Sequence, residues 1–154
     1  MSEENITKII LSWLMRNGWE IICYDFPQSG TGVLLHPNNS KEKNKDAINP
    51  DIVAVKGNQC IYFENKSYFY FPDFEKVKRL RTTSDYSEAI NQLLSGKGIQ
   101  KIWYGIGYPS SAHKKKAKEF VKMTDFIIGV TDEKNIEILY TVNDSVLNDC
   151  FSTI

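Results

Sequence analysis

Two apolar runs, IVAV at 52–55 and CIYF at 60–63, flank the residues Lys56-Gly57-Asn58-Gln59. A two-residue glycine junction between such runs is a strong local signal for a β-hairpin. With Gly57-Asn58 as the whole loop, Lys56 faces Gln59, Val53 faces Tyr62, and Asp51 faces Glu64. Directly opposed Cβ atoms lie roughly 4.5–5.5 Å apart, and Lys66, two residues beyond Glu64, shares their face at a diagonal distance of about 7 Å. Like charges so placed destabilise a bare sheet. A divalent cation reverses that effect, since Mg²⁺ favours hard carboxylate oxygens and takes one or two of them with waters and a phosphate. A lysine beside it can hold or deprotonate an attacking water. The reading depends on register, because a three-residue loop would send Asp51 and Glu64 to opposite faces.

The rest of the chain sets the order of elements. Ile6, Ile9, Ile10, Trp13 and Leu14 recur at helical spacing, predicting a helix over 3–17 with Ser2 as N-cap and Asn17-Gly18 as its stop. Trp19 to Tyr24 reads as a strand. A long polar connection follows, containing QSGTG (28–32) and HPNNSKEKNKDAIN (36–49), the second piece expected to be mobile. Strands are expected at 51–56 and 59–70, then a segment with Pro72 and a short basic helix, then an amphipathic helix from about Asp85 to Leu94 ending at Gly96. Ile99 to Ile106 is another strand. A helix near 112–122, a strand at 125–130, a turn at DEKN and a strand at 136–141 complete the pattern, which is that of an α/β fold with a mixed sheet.

Length and composition agree with one domain over 1–154: 154 residues with 42% hydrophobic and 25% charged suffice for one core and not two. No segment has the length or apolarity of a membrane span, and no leader-like apolar region opens the chain, so the expected location is the cytoplasm, without membrane association. Cys23, Cys60 and Cys150 are odd in number, far apart and without a CxxC pair, which fits reduced core thiols. Formal net charge is zero but unevenly spread, with eleven basic against five acidic residues over 73–122 and one against six over 123–154. The basic block holds Lys76, Lys78, Arg79 and Arg81, and the run HKKKAK with Lys114, Lys115 and Lys116. These residues make a candidate DNA-facing surface, or solvated helix faces.

Pro50-Asp51 followed by Glu64-Asn65-Lys66, on a hairpin preceded by a helix and strand and followed by a helix and strand, resembles the PD-(D/E)xK nuclease superfamily, also called restriction endonuclease-like. That family has an αβββαβ core, which the resemblance places over about 3–107, with a C-terminal helix and two strands over about 111–141 as an extension. The resemblance implies that Asp51, Glu64 and the backbone carbonyl of Asn65 ligate Mg²⁺, for which Mn²⁺ can substitute, and that Lys66 positions the water. Many members add a glutamate from the first helix, here Glu4 ahead of Glu3. The middle residue of the triplet is usually apolar because it points to the opposite, buried face, so the Asn65 amide needs a partner there. Asp132-Glu133-Lys134 repeats the bare D-x-K spacing in a turn with no aspartate upstream, and Pro72-Asp73 is a PD without a hairpin.

The function expected from this resemblance is a metal-dependent DNA endonuclease of a small restriction or defence type. A Holliday-junction resolvase acting on branched DNA, or a nuclease-fold subunit that binds nucleic acid or protein without cutting, is the alternative. One such domain cuts one strand at a time, so double-strand cleavage implies a homodimer. The aromatic run YFYF at 68–71, with Phe74, is expected in the core, His36 and His113 at the surface or as caps, and Tyr104, Tyr108 and Pro109 as wall or core. No glycine-rich phosphate loop is present.

Overall fold

The computed structural model describes residues 1–25, 32–38 and 46–154; half of the polar piece expected to be mobile, 39–45 of 36–49, lies outside them. The chain is a mixed α/β fold: a six-stranded sheet in the order β1 to β6, covered by helices on both faces. Helix α1 (Glu3–Arg16) starts where predicted, with Ser2 Oγ accepting the Asn5 N–H at 3.1 Å, and it buries Ile6, Ile10, Trp13 and Leu14. Gly18, at φ +84°, then turns the chain into β1 (Glu20–Tyr24).

Strands β2 (Ile52–Lys56) and β3 (Gln59–Asn65) form the expected hairpin in the expected register, pairing Lys56 with Gln59 and Val53 with Tyr62. The positive φ of the turn falls on Gly57 and not on Asn58, as a type II′ turn requires. Next come helices α2 (Phe71–Thr82) and α3 (Ser87–Leu93), strand β4 (Lys101–Pro109), the short helix α4 (Lys115–Lys118), strands β5 (Phe126–Val130) and β6 (Ile136–Thr141), and helix α5 (Asp144–Cys150). β4 runs parallel to β3, and β5 parallel to β4, while β1 and β6 close the sheet antiparallel at its two edges.

Strand alternation divides the core. Ile52, Ala54, Ile61 and Phe63 pack with α1 and α5, whereas Val53, Val55, Cys60 and Tyr62 pack with Phe74, Val77 and Leu80 of α2 and with Leu94 after α3. All three cysteines are buried and unpaired, as expected. Among the described residues no helix is long and apolar enough to cross a membrane.

Four expectations change. β3 ends at Asn65 rather than at 70, because α2 begins at Phe71 with Pro72 in its first turn, where a missing N–H costs nothing. The YFYF run is therefore a connection, with Phe69 and Phe71 inside and Tyr68 and Tyr70 exposed. The helix expected near 112–122 is broken into a 3-10 turn (Ser110–Ala112), α4 and a second 3-10 turn (Val121–Met123); four lysines within 114–118 repel one another across a single helical turn. Helix α5 is not anticipated, the expected elements ending at 141; Asn143 Oδ1 caps it by accepting the Val146 N–H at 3.0 Å.

Close packing in the middle of the sheet yields a direct test. A Cβ on Gly105 of β4 would lie 2.2–2.5 Å from the ring of Phe126, which packs edge-on against Phe63. Gly105→Ala is expected to destabilise the protein by about 1–3 kcal/mol, lowering Tm by about 2–4 °C per kcal/mol in a thermal melt.

Candidate functional site

The hairpin register brings Asp51 and Glu64 together on the α2 face of the sheet, both buried. Asp51 lies one residue before β2, its N–H still bonded to the Phe63 carbonyl at 3.2 Å, and its Oδ2 accepts the backbone N–H of Asn65 at 2.7 Å. Glu64 Oε1 accepts a hydrogen bond from the hydroxyl of Tyr62, two residues back on the same face, and Lys76 Nζ of α2 lies 3.5 Å from Oε2.

Two unit charges about 5 Å apart at an effective dielectric near 20 repel by about 3 kcal/mol, a large share of the stability of a small domain. The site responds by holding protons. Burial, then the Glu64 charge, pushes Asp51 well above the usual carboxylate range, against the opposing Asn65 N–H. Burial raises Glu64 as well, while Lys76 and the Tyr62 hydroxyl pull it back.

Lys66 Nζ lies 3.8 Å from Glu3 and 4.9 Å from the centre of the Tyr70 ring. Its partial burial lowers its affinity for a proton, but the charges of Asp73, Glu3 and Asp51 outweigh that and raise it, so Lys66 is an ammonium at neutral pH.

One residue set aside in the sequence enters the site, and the order of two others is reversed. Asp73, the aspartate of the PD pair without a hairpin, is buried in the first turn of α2, 3.8 Å from Lys76, and among the described residues its Oδ2 has no hydrogen-bond partner. Burial raises its pKa, against the pull of Lys76 and Lys66. Glu3 replaces Glu4 as the acid of α1 nearest the site. Helical phase decides this: Glu3 stands one turn before Thr7, which faces the sheet, whereas Glu4 pairs with Lys8 at 3.3 Å. The spacing of Asp73 and Lys76, an acid three residues ahead of a lysine on one helix face, is visible in the sequence; the burial that joins them to the site is not.

Asn65 points to the opposite face, as alternation demands, and finds its partner there: its Nδ2 donates to Thr7 Oγ1 of α1 at 3.1 Å. Gly107, opposite Asn65 on β4, leaves room for the amide, since a Cβ there would come within 2.4 Å of Asn65 Oδ1.

The basic block separates. Lys76 belongs to the acid cluster. Arg81 also faces inward, bonding Asp125 Oδ1 at 2.8 Å and the Lys122 carbonyl at 2.9 Å, and Arg79 pairs with Asp85 at 3.1 Å while lying over Tyr86. Lys78, Lys114, Lys115 and Lys116 are exposed. His36 lies exposed on the connection between β1 and β2, and the Nδ1 of His113 is tied to the hydroxyl of the buried Tyr108 at 2.6 Å.

No family model matches the sequence, and no curated protein does. Among solved structures the chain is similar to an XisH family protein from Nostoc punctiforme, with 12% identity over 88% of this chain and 99% of that one and a TM-score of 0.50. It is also similar to an fdxN element excision controlling factor protein from Anabaena variabilis, with 15% identity, 89% and 99% coverage and a TM-score of 0.48. The first is a likeness of fold.

A metal fits the donor set in part. Among the described residues no three His, Cys, Asp or Glu side chains converge as a ligand group. Mg²⁺, however, needs only one or two carboxylates, and two opposed, buried carboxylates that otherwise retain protons suit a divalent cation.

Their raised pKa values have a sign that can be measured. The folded state binds more protons than the unfolded one, so the stability contributed by the protonated acids is full below about pH 4 and is lost as pH rises. In EDTA, Glu64→Gln, which keeps an oxygen to accept from Tyr62, is expected to gain on the wild type between about pH 5 and 8, by about 1–3 kcal/mol. Denaturant melts at the two pH values check this; an unchanged difference between the two proteins would count against retained protons.

Proposed function

We propose that the protein is a metal-dependent endonuclease with a restriction endonuclease-like core, hydrolysing phosphodiester bonds in DNA. The observation that carries the reading is the buried Asp51–Glu64 pair with Lys66 as a neighbouring ammonium. The element order from α1 to β4 agrees with an αβββαβ core, α2 and α3 together standing in the place of one helix.

In this reading Asp51, Glu64 and the Asn65 carbonyl hold Mg²⁺ or Mn²⁺. Such an ion lowers the pKa of a coordinated water and neutralises charge on the phosphate as the 3′ oxygen leaves. The chain does the rest. Lys66, kept protonated by Glu3 and Asp73, donates to the water or to a phosphate oxygen and so orients attack on phosphorus; it acts as a cation and not as the base. Tyr62 fixes the rotamer of Glu64. Lys76 neutralises Glu64 while no cation is bound, and Asp73 holds Lys76 in reach. Exposed Lys78, Lys114, Lys115 and Lys116 supply the attraction for a polyanion. Double-strand cleavage would require a two-fold homodimer.

Purified protein incubated with supercoiled plasmid and with a four-way junction, in Mg²⁺, Mn²⁺ and EDTA, tests the reading. Metal-dependent products are expected, with cleavage reduced roughly 10²-fold or more by Asp51→Asn, Glu64→Gln or Lys66→Ala. Lys66→Ala should still show thermal stabilisation by the metal, whereas Asp51→Asn should lose it. Preference for the junction would make the enzyme a resolvase rather than a restriction-type nuclease. Cleavage that survives EDTA or Asp51→Asn would overturn the reading, and a metal-independent gel shift without cutting would leave a binding module.

A further inference from the structure

The connection from β3 to α2 leaves Lys66 at the site and presents alternate aromatic rings to opposite sides. Phe69 stacks on Phe120 at 6.1 Å and meets Phe74 at 5.2 Å, and Phe71 meets Phe120 at 4.8 Å. Tyr68 and Tyr70 face solvent, 55% and 39% exposed, with ring centres 6.0 Å apart. Among the described residues these two are the only large aromatic side chains so exposed. Both stand beside the acid cluster, Tyr70 under Lys66 Nζ.

Tyr68 also forms one wall of an open groove of about 410 Å³, completed by Ser67, Phe69, Ser111, Lys114 and Lys116. Lys116 Nζ lies 5.9 Å from the Phe69 ring, across the groove. On the opposite wall, His113 stands between the lining residues Ala112 and Lys114 and is hydrogen-bonded to Tyr108. Burial, then Lys118, lowers the His113 pKa, so the positive charge of that wall comes from the lysines.

Flat rings and ammonium groups side by side suit a strand whose bases are free to stack and whose backbone is anionic. A duplex offers the anionic backbone but keeps the faces of its bases stacked on one another, out of reach of a side chain. We propose that this groove receives a single-stranded segment of nucleic acid, one base stacking on Tyr68 while Lys114 and Lys116 take adjacent phosphates, and that it leads the strand to Lys66 and the acid pair. The last step rests on the nuclease reading; the binding does not.

Fluorescence anisotropy in EDTA, with a labelled single strand of about 20 nucleotides and its duplex, tests the inference. The wild type should prefer the single strand. Tyr68→Ala should weaken single-strand binding about 5- to 100-fold with little effect on the duplex, and Tyr68→Phe, which keeps the ring, should restore it. Lys114→Ala with Lys116→Ala should reduce the slope of log K against log salt by about 0.7 for each phosphate left without its lysine. Tyr68 is exposed, so these variants are expected to fold, and a thermal melt confirms it. Equal or tighter binding of duplex, no binding of either, or no effect of Tyr68→Ala would overturn the inference. Cleavage measured in parallel with Mg²⁺ separates the two readings. Cutting with Tyr68-independent binding leaves the nuclease and removes the groove; Tyr68-dependent binding without cutting does the reverse.

Discussion

The pairing of Lys56 with Gln59 across Gly57-Asn58 is the constraint from which the rest of the molecule follows. A strand has a period of two, so that one pairing assigns every residue of β2 and β3 to a face. Ile52, Ala54, Ile61 and Phe63 go to α1; Val53, Val55, Cys60 and Tyr62 go to α2. The same parity sets Asp51 and Glu64 side by side and sends Asn65 to the other side. A slip of one residue would part the two carboxylates and put one of them among the apolar side chains beneath α1.

Both helical layers contribute to the end of the sheet where the acids meet. From α1, Thr7 bonds Asn65 and Glu3 reaches Lys66; from α2, Lys76 reaches Glu64 and Asp73 stands behind it. Lys66 pairs with Glu3, and Lys76 with Glu64 and Asp73, whereas Asp51 is held by a backbone N–H and a retained proton, with Lys66 acting on it from further away. Such an arrangement satisfies the buried charges one by one while leaving two carboxylates poised on the same side.

The hairpin, α1 with its caps, and the order of strands are legible because each rests on local chemistry: a glycine turn, a serine cap, a period of 3.6 or 2. What escapes depends on tertiary neighbours. Nothing local to Asp73 says that it is buried, since only the docking of α2 on β3 and β4 decides that. Arg81 reads as a phosphate ligand in the chain and is held by Asp125, 44 residues away. Glu3 and Glu4 are equivalent as letters and differ by about 100° of helical phase, which the Thr7–Asn65 hydrogen bond resolves. Aromatic alternation in YFYF is visible, but its meaning changes once β3 ends before it: the run turns its phenylalanines inward and its tyrosines out.

The three buried thiols bear on how the molecule can be handled chemically. Burial raises Cys23 to about 11 and Cys60 and Cys150 to about 12, so at neutral pH scarcely any thiolate is present on them, and thiolate is the form that alkylates. The native chain therefore presents a silent background to maleimide and iodoacetamide reagents. A single cysteine introduced at an exposed position would be the reactive one, and a dye or spin label could be attached to the unaltered wild-type background without first removing the natural cysteines from the core.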